Sequence, residues 1–175
     1  HYDIELDDGA VLRYHDPRRF GCAVWIEGDP SQHALLARLG PEPLLAAFDG
    51  DHLYRLSRGR RAPVKTFLMD GAVVVGVGNI YADEALFRAR LSPFRPARSL
   101  TEEEARRLYR ALREVLAEAV ELGGSTLSDQ SYRQPDGLPG GFQTRHAVYG
   151  REGLPCPACG RPVERRVVAG RGTHF

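Results

Sequence analysis

The chain has 175 residues, 24 Lys+Arg against 23 Asp+Glu for a formal net charge of +1, 42% hydrophobic residues and three cysteines. That supplies the core of one large or two small domains. The near-zero balance argues against a uniformly basic nucleic-acid binder, and an odd cysteine count fits no closed disulfide framework. The longest apolar run, Ala72 to Val77, is far below the ~20 residues a bilayer needs. The charged, alternating start is no signal peptide. Lys65 is the sole lysine and Asn79 the sole asparagine. The chain opens at His1 and stops at Phe175 in mid-pattern, so it is expected to be part of a longer protein.

Tyr2, Ile4 and Leu6 alternate with Asp3, Glu5 and Asp7, the period of a strand. Asp8-Gly9 is a hairpin turn signal, Val11 to Tyr14 a second strand, and Cys22 to Ile26 a third after the break at Asp16-Pro17. Pro30 to Leu39 reads as a helix with Leu35, Leu36 and Leu39 on one side, stopped by Gly40-Pro41. Asp49 to Ser57 is a second helix, and a basic loop with Arg58, Arg60 and Arg61 follows. Pro63 opens a short helix through Met69. After the glycine-spaced stretch to Gly78, Asn79 stands where an N-cap belongs, with Asp83 and Glu84 in the early turns of the next helix. Thr101 to Leu122 is the clearest element. Thr101 with Glu104 is a capping box, Glu102/Arg106 and Glu103/Arg107 are i,i+4 pairs, and Gly123-Gly124 is the stop. Ser131 to Gly141 is a polar loop rich in Pro and Gly, and the tail from Val148 is β-prone. The class is α+β.

The charge is unevenly spread. Between Ser131 and Phe175 seven arginines face three acids, a local net of +4, which reopens nucleic acid as a partner.

Cys156-Pro-Ala-Cys159-Gly160 is the strongest local signal. Two thiolates at this spacing turn back onto one tetrahedral metal, the alternatives being an unpaired turn or a redox pair. Cys22 reads as a small buried hydrophobe in the sheet. Asp16-Pro17-Arg18-Arg19-Phe20-Gly21 is either a solvated turn or a loop that interrogates duplex DNA, Phe wedging between bases and Arg reaching base edges. Lys65 reads as a surface lysine and Asn79 as a plain N-cap, or together they outline a helix, two turns and a helix, where the exposed N–H groups of the second helix start and the Asn79 amide suit a phosphate oxygen. Arg171, at a glycine-flanked turn, is a solvated arginine or a phosphate finger.

The stretches "YHDPRRFG", "LGPEPL", "VKTFLMD", "VVGVGNIYADEALF", "GGSTL", "DGLPGGFQ", "VYGREGLPCPACG" and "RRVVAGRGTHF" resemble the formamidopyrimidine-DNA glycosylase family. The resemblance implies a base-excision repair enzyme. It removes 8-oxoguanine and formamidopyrimidines from damaged double-stranded DNA and cleaves the abasic site by β,δ-elimination. It implies part of an antiparallel β-sandwich (1–40), a linker and helix–two-turn–helix domain (41–130), a lesion-recognition loop region (131–147) and an incomplete zinc-finger hairpin (148–175). DNA would lie in the cleft between the domains.

By the same resemblance, Arg18 faces the orphaned cytosine and Phe20 is the wedge, with Arg19 beside them. Arg60, Lys65 and Asn79 contact DNA. Arg171 grips a phosphate and serves δ-elimination. Cys156 and Cys159 are the first two ligands of one structural Zn²⁺, with two more expected beyond Phe175. A monomer in the bacterial cytoplasm, associated with the nucleoid and not with membrane, is implied. The family's N-terminal proline nucleophile, its adjacent glutamate and its early lysine have no counterpart here, so the chain alone is expected to be inactive. Two other readings remain open: an endonuclease VIII-type enzyme for oxidised pyrimidines, and a non-catalytic module that binds lesions or abasic sites.

Overall fold

The alternation at the start of the chain yields an antiparallel hairpin, β1 (Tyr2–Glu5) paired with β2 (Val11–Tyr14). Gly9, at φ +82°, makes the turn, and the Asp8 carboxylate accepts from the Ala10 amide at 2.9 Å. Directly opposed Asp3 and Arg13 form a two-pronged ion pair at 2.8 and 2.7 Å, which at these exposures contributes little. This computed structural model describes residues 2–14, 16, 21–127 and 132–175. It divides into two compact units, His1–Ala37 and Arg38–Phe175.

Two expectations for the first unit are corrected. Cys22 to Ile26 forms no ladder with any described residue; Trp25 is 87% exposed and Cys22 is exposed, not buried. β-prone residues make a strand only where a neighbour takes their hydrogen bonds. The helix expected over Pro30 to Leu39 shrinks to a 3-10 turn, Pro30–Gln32, capped by Asp29, followed by further turns. Leu35, Leu36 and Leu39 are all exposed, and so short a helix is marginal without a face to bury.

The second unit is helical. Its elements are α1 (Gly50–Ser57), α2 (Val64–Leu68), α3 (Asn79–Arg88) and α4 (Glu102–Glu121), followed by the hairpin β3 (Arg165–Val168) and β4 (Arg171–His174). The Asp49 side chain caps α1 by accepting from the His52 amide at 2.7 Å. The Thr101 capping box is complete in both directions, at 3.2 and 2.9 Å.

α4 lays its Leu108, Leu112, Val115 and Leu116 stripe into a core shared with α1 and α3. Phe48, Leu53, Val64, Leu68, Leu86 and Phe142 are 0–1% exposed there. Phe48 meets Tyr109 edge-on at 5.4 Å. Gly50 lets α1 approach α4, because a Cβ there would lie 2.6 Å from the Arg106 Cα. Of the expected pairs on α4, Arg106 does reach Glu102 at 3.7 Å and also Asp51 at 3.0 Å. Arg107 instead donates to the Ala89 carbonyl at 2.8 Å, closing the end of the preceding helix rather than pairing with Glu103.

Thr101→Ala should cost about 1 kcal/mol of stability, measured by urea denaturation. Arg95 grips Glu104 through two hydrogen bonds at 2.6 and 3.0 Å, which hold the Glu104 carboxyl below its ordinary value. The folded pKa is depressed, so the stability from this pair is full above about 4.5 and is lost as pH falls below it. Arg95→Ala should therefore lower stability at neutral pH, and should lose less on acidification than the parent chain. An unchanged acid limb would contradict this.

Candidate nucleic-acid interface

The sole lysine is internal. Lys65, on α2, is 1% exposed, and its ammonium lies 2.7 Å from the Asp83 carboxylate of α3. It also donates to the Gly172 carbonyl at 2.9 Å and to Thr173 Oγ1 at 2.8 Å, both on β4. The other oxygen of Asp83 accepts from the His174 amide at 2.9 Å. Burial pushes the Asp83 carboxyl up and the Lys65 ammonium down, and each charge offsets the penalty on the other. Lys65 therefore ties α2 and α3 to β4. The expectation of a surface lysine is corrected here: the ammonium is spent inside the protein.

Asn79 is not the N-cap. That position belongs to Gly78, with no capping side chain, and Asn79 is the first helical residue of α3. Its amide Nδ2 donates to the Gly172 carbonyl at 3.1 Å and lies 3.4 Å from the Tyr149 hydroxyl. The first amides of α3 have no intrahelical acceptors. Gly76 and Gly78 leave the approach open, with nothing within 4 Å of where a Cβ would stand. Such a helix start, with its dipole and bare N–H groups, attracts an anion.

Two arginines remain from the expected contacts. Arg60, in the loop before α2, and Arg171, the first residue of β4, are both exposed and line a cleft of about 370 Å³ with Thr66, Met69 and Ala169. The hairpin turn itself is Ala169-Gly170, both at positive φ, and Arg171 opposes Val168 in the ladder. Neither arginine pairs with a carboxylate among the described residues, whereas Arg88, Arg95 and Arg106 are bound to Glu118, Glu104 and Asp51. Cationic charge without a carboxylate partner therefore lines this cleft, and Arg171 adjoins Gly172, whose carbonyl accepts from Asn79 at the start of α3.

Several residues that shape this site carried no signal of their own in the sequence. Glu84, fully buried, accepts the amides of Ala147, Val148 and Tyr149 at 2.8, 3.0 and 2.8 Å, which fixes the segment that carries Tyr149. Adjacent acids inside an otherwise apolar helix, in a chain with one lysine, were the available clue. Arg18, Arg19 and Phe20 lie outside the described residues, as does the start of the Ser131 to Gly141 loop.

The cysteine turn has the shape of a metal knuckle. The Cys156 amide donates to the Arg161 carbonyl at 2.7 Å, the Gly160 amide to the Cys156 carbonyl at 2.9 Å, and the Ala158 amide points at Cys156 Sγ at 3.4 Å. Gly160 supplies the left-handed turn at φ +73°. The Arg161 amide, the Arg161 guanidinium and Cys156 together hold the Cys159 thiol below its ordinary value, which favours thiolate. These features suit two of four zinc ligands. No group of three or more candidate ligands occurs among the described residues. No described helix is long and apolar enough to cross a membrane.

Lys65→Met should destabilise the fold by about 3–5 kcal/mol, because it strands a buried carboxylate. Combining it with Asp83→Asn should recover part of that loss, as read by chemical denaturation. Equal stability of the single variant and the parent would refute the internal role of the pair.

Comparison with known proteins agrees with this geometry. The family model described as the formamidopyrimidine-DNA glycosylase H2TH domain matches residues 39–131, and that of a zinc finger found in FPG and IleRS matches residues 153–175. A formamidopyrimidine-DNA glycosylase of Thermus thermophilus is 75% identical over 169 residues, covering 96% of this chain and 63% of that protein. One from Alkalilimnicola ehrlichii is 56% identical over 175 residues, covering 100% of this chain and 62% of its own length. The chain thus spans less than two thirds of these relatives.

Among solved structures, the MutM (Fpg) protein of Thermus thermophilus superposes with a TM-score of 0.90 at 74% identity, over 96% of this chain and 64% of that one. The Lactococcus lactis Fpg in complex with abasic-site DNA superposes with a TM-score of 0.73 at 35% identity, over 81% and 51%. With a helix–two-turn–helix body and a cysteine-knuckle hairpin locked together by Lys65 and Asp83, the chain belongs to the formamidopyrimidine-DNA glycosylase family.

Proposed function

We propose that this chain is the DNA-gripping portion of a base-excision repair glycosylase with AP lyase activity, one that removes oxidised purines (8-oxoguanine and formamidopyrimidines) from duplex DNA and opens the abasic site by β,δ-elimination. The observation that carries this is the convergence at Gly172. Lys65 and Asn79 both donate to its carbonyl, and this sets Arg171 beside the uncapped start of α3. The relatives support the substrate class, since Lactococcus lactis Fpg structures hold DNA containing Fapy-dG or an abasic site.

In this reading the first amides of α3 and Arg171 take a backbone phosphate. Tyr149 accepts from Asn79 through its oxygen and keeps its own proton for a phosphate oxygen. Arg171 neutralises the phosphate that departs in δ-elimination, and Arg60 holds the strand at the far side of the cleft. Arg18 and Phe20 are assigned the unpaired base and the wedge. Cys156 and Cys159 hold one structural Zn²⁺ with two further ligands, which fixes the hairpin. The protein acts as a monomer in the cytoplasm.

Affinity for a duplex carrying an abasic-site analogue should fall steeply with salt. Arg171→Ala and Arg60→Ala should each weaken binding and reduce the log–log salt slope by about 1, as measured by fluorescence anisotropy. Binding indifferent to salt, or slopes unchanged in both variants, would overturn the proposal.

A further inference from the structure

The 132–141 loop returns to the end of α4 through a doubly tied neck. In the first tie, the Thr126 amide donates to Gln143 Oε1 at 3.0 Å and Gln143 Nε2 donates to the Gly140 carbonyl at 2.6 Å. The Thr126 hydroxyl accepts from the Gly140 amide and donates to the Tyr132 carbonyl, both at 2.8 Å. Gly140 has to be glycine, because a Cβ there would meet the Gly124 carbonyl oxygen at 2.3 Å. The second tie is His146, whose Nε2 lies 3.2 Å from Ser125 Oγ.

The two ties differ in what lies behind them. Among the described residues the Gln143 side chain bonds only to Thr126 and Gly140, within the neck. His146 continues toward the phosphate cluster. Its ring meets Phe142 and Tyr149 edge-on, each at 5.6 Å, and Tyr149 in turn packs against His174 at 4.8 Å. From the Tyr149 hydroxyl the path runs to Asn79 Nδ2 and on to the Gly172 carbonyl, which Lys65 also holds. Glu84 pins Ala147 to Tyr149 from beneath, so this segment does not give way when either end is pulled.

We propose that His146 is a positioning residue that couples the order of the 132–141 loop to occupation of the α3 phosphate site. The inference rests on the DNA-binding reading above. A phosphate that draws on Tyr149 or Asn79 shifts the ring that His146 touches, and His146 passes this to Ser125 at the base of the loop. Ordering the loop favours the phosphate-ready Tyr149 by the same amount, because coupling is reciprocal. An imidazole suits the task, since an aliphatic side chain would fill the space without holding Ser125. Burial keeps the ring below its ordinary pKa against the pull of Glu84 and the Tyr149 backbone, with His174 acting in the same sense as burial. The neutral ring donates from one nitrogen and accepts at the other.

The test is amide hydrogen exchange over 132–141, with and without a duplex carrying a tetrahydrofuran abasic-site analogue. In the parent chain, DNA should raise loop protection by about tenfold. His146→Leu keeps the packing and loses the bond. It should still bind the duplex, weakened by no more than that factor, but show no DNA-induced gain in the loop. His146→Gln, which can bond Ser125, should restore part of the gain. Gln143→Ala should speed exchange in both states and keep the gain, an outcome that a merely structural role for His146 does not predict. Retention of the full gain in His146→Leu, or its absence in a parent chain that binds DNA, overturns the inference alone. Failure of the parent to bind the duplex overturns the functional reading and the inference together.

Discussion

A lysine ammonium inside a protein is tolerated only when paired, since desolvation costs several kcal/mol per ion. Lys65 meets that condition with Asp83 at 2.7 Å and spends its remaining donors on the Gly172 carbonyl and the Thr173 hydroxyl. Each partner comes from a different stretch of chain: α2, α3 and β4. A pair of this kind specifies register more than it adds stability, because any slip of β4 along α3 would strand one of the charges. Arg171 is covalently next to Gly172, so its placement is inherited from an ion pair it does not touch.

The same logic separates structural charge from working charge. Arg88, Arg95 and Arg106 are paired with carboxylates on the helices, and Asp83 and Glu84 are consumed by internal donors. Arg60 and Arg171 have no carboxylate partner among the described residues and line one cleft, and Arg171 adjoins Gly172, to which the first residue of α3 donates. A net charge of +1 therefore says little about anion binding. What decides it is which cations remain unpaired and where they converge.

Features with local causes were legible in the sequence. The Thr101 capping box, the Asp8-Gly9 turn and the cysteine knuckle each depend on residues within a few positions of one another. The errors arose where a partner far along the chain decided the outcome. Asn79 had the chemistry of an N-cap, yet its amide turned to Gly172, 93 residues away. Lys65 looked like a surface residue because nothing near it announced Asp83 as its partner. The helix expected over Pro30 to Leu39 had the right period but no described surface to pack on, and its leucines are exposed. The family resemblance rested on whole stretches of sequence rather than on single residues, and it identified the family and the fold class.

The consecutive acids of α3 explain why this helix is the fixed point of its unit. Neighbouring residues on a helix project about 100° apart, so Asp83 and Glu84 face two directions. Asp83 takes the β4 side, through Lys65 and the His174 amide. Glu84 takes the 147–149 side, through three backbone amides. Both carboxylates are desolvated, and releasing either segment would leave a buried charge without donors. The two arms are therefore held with similar stringency from one rigid element, and they meet again at the helix start through Asn79, Gly172 and Tyr149. An anion bound there touches the junction of both arms, which is the physical basis on which an event at the phosphate can be felt at the hairpin and at the neck of the loop alike.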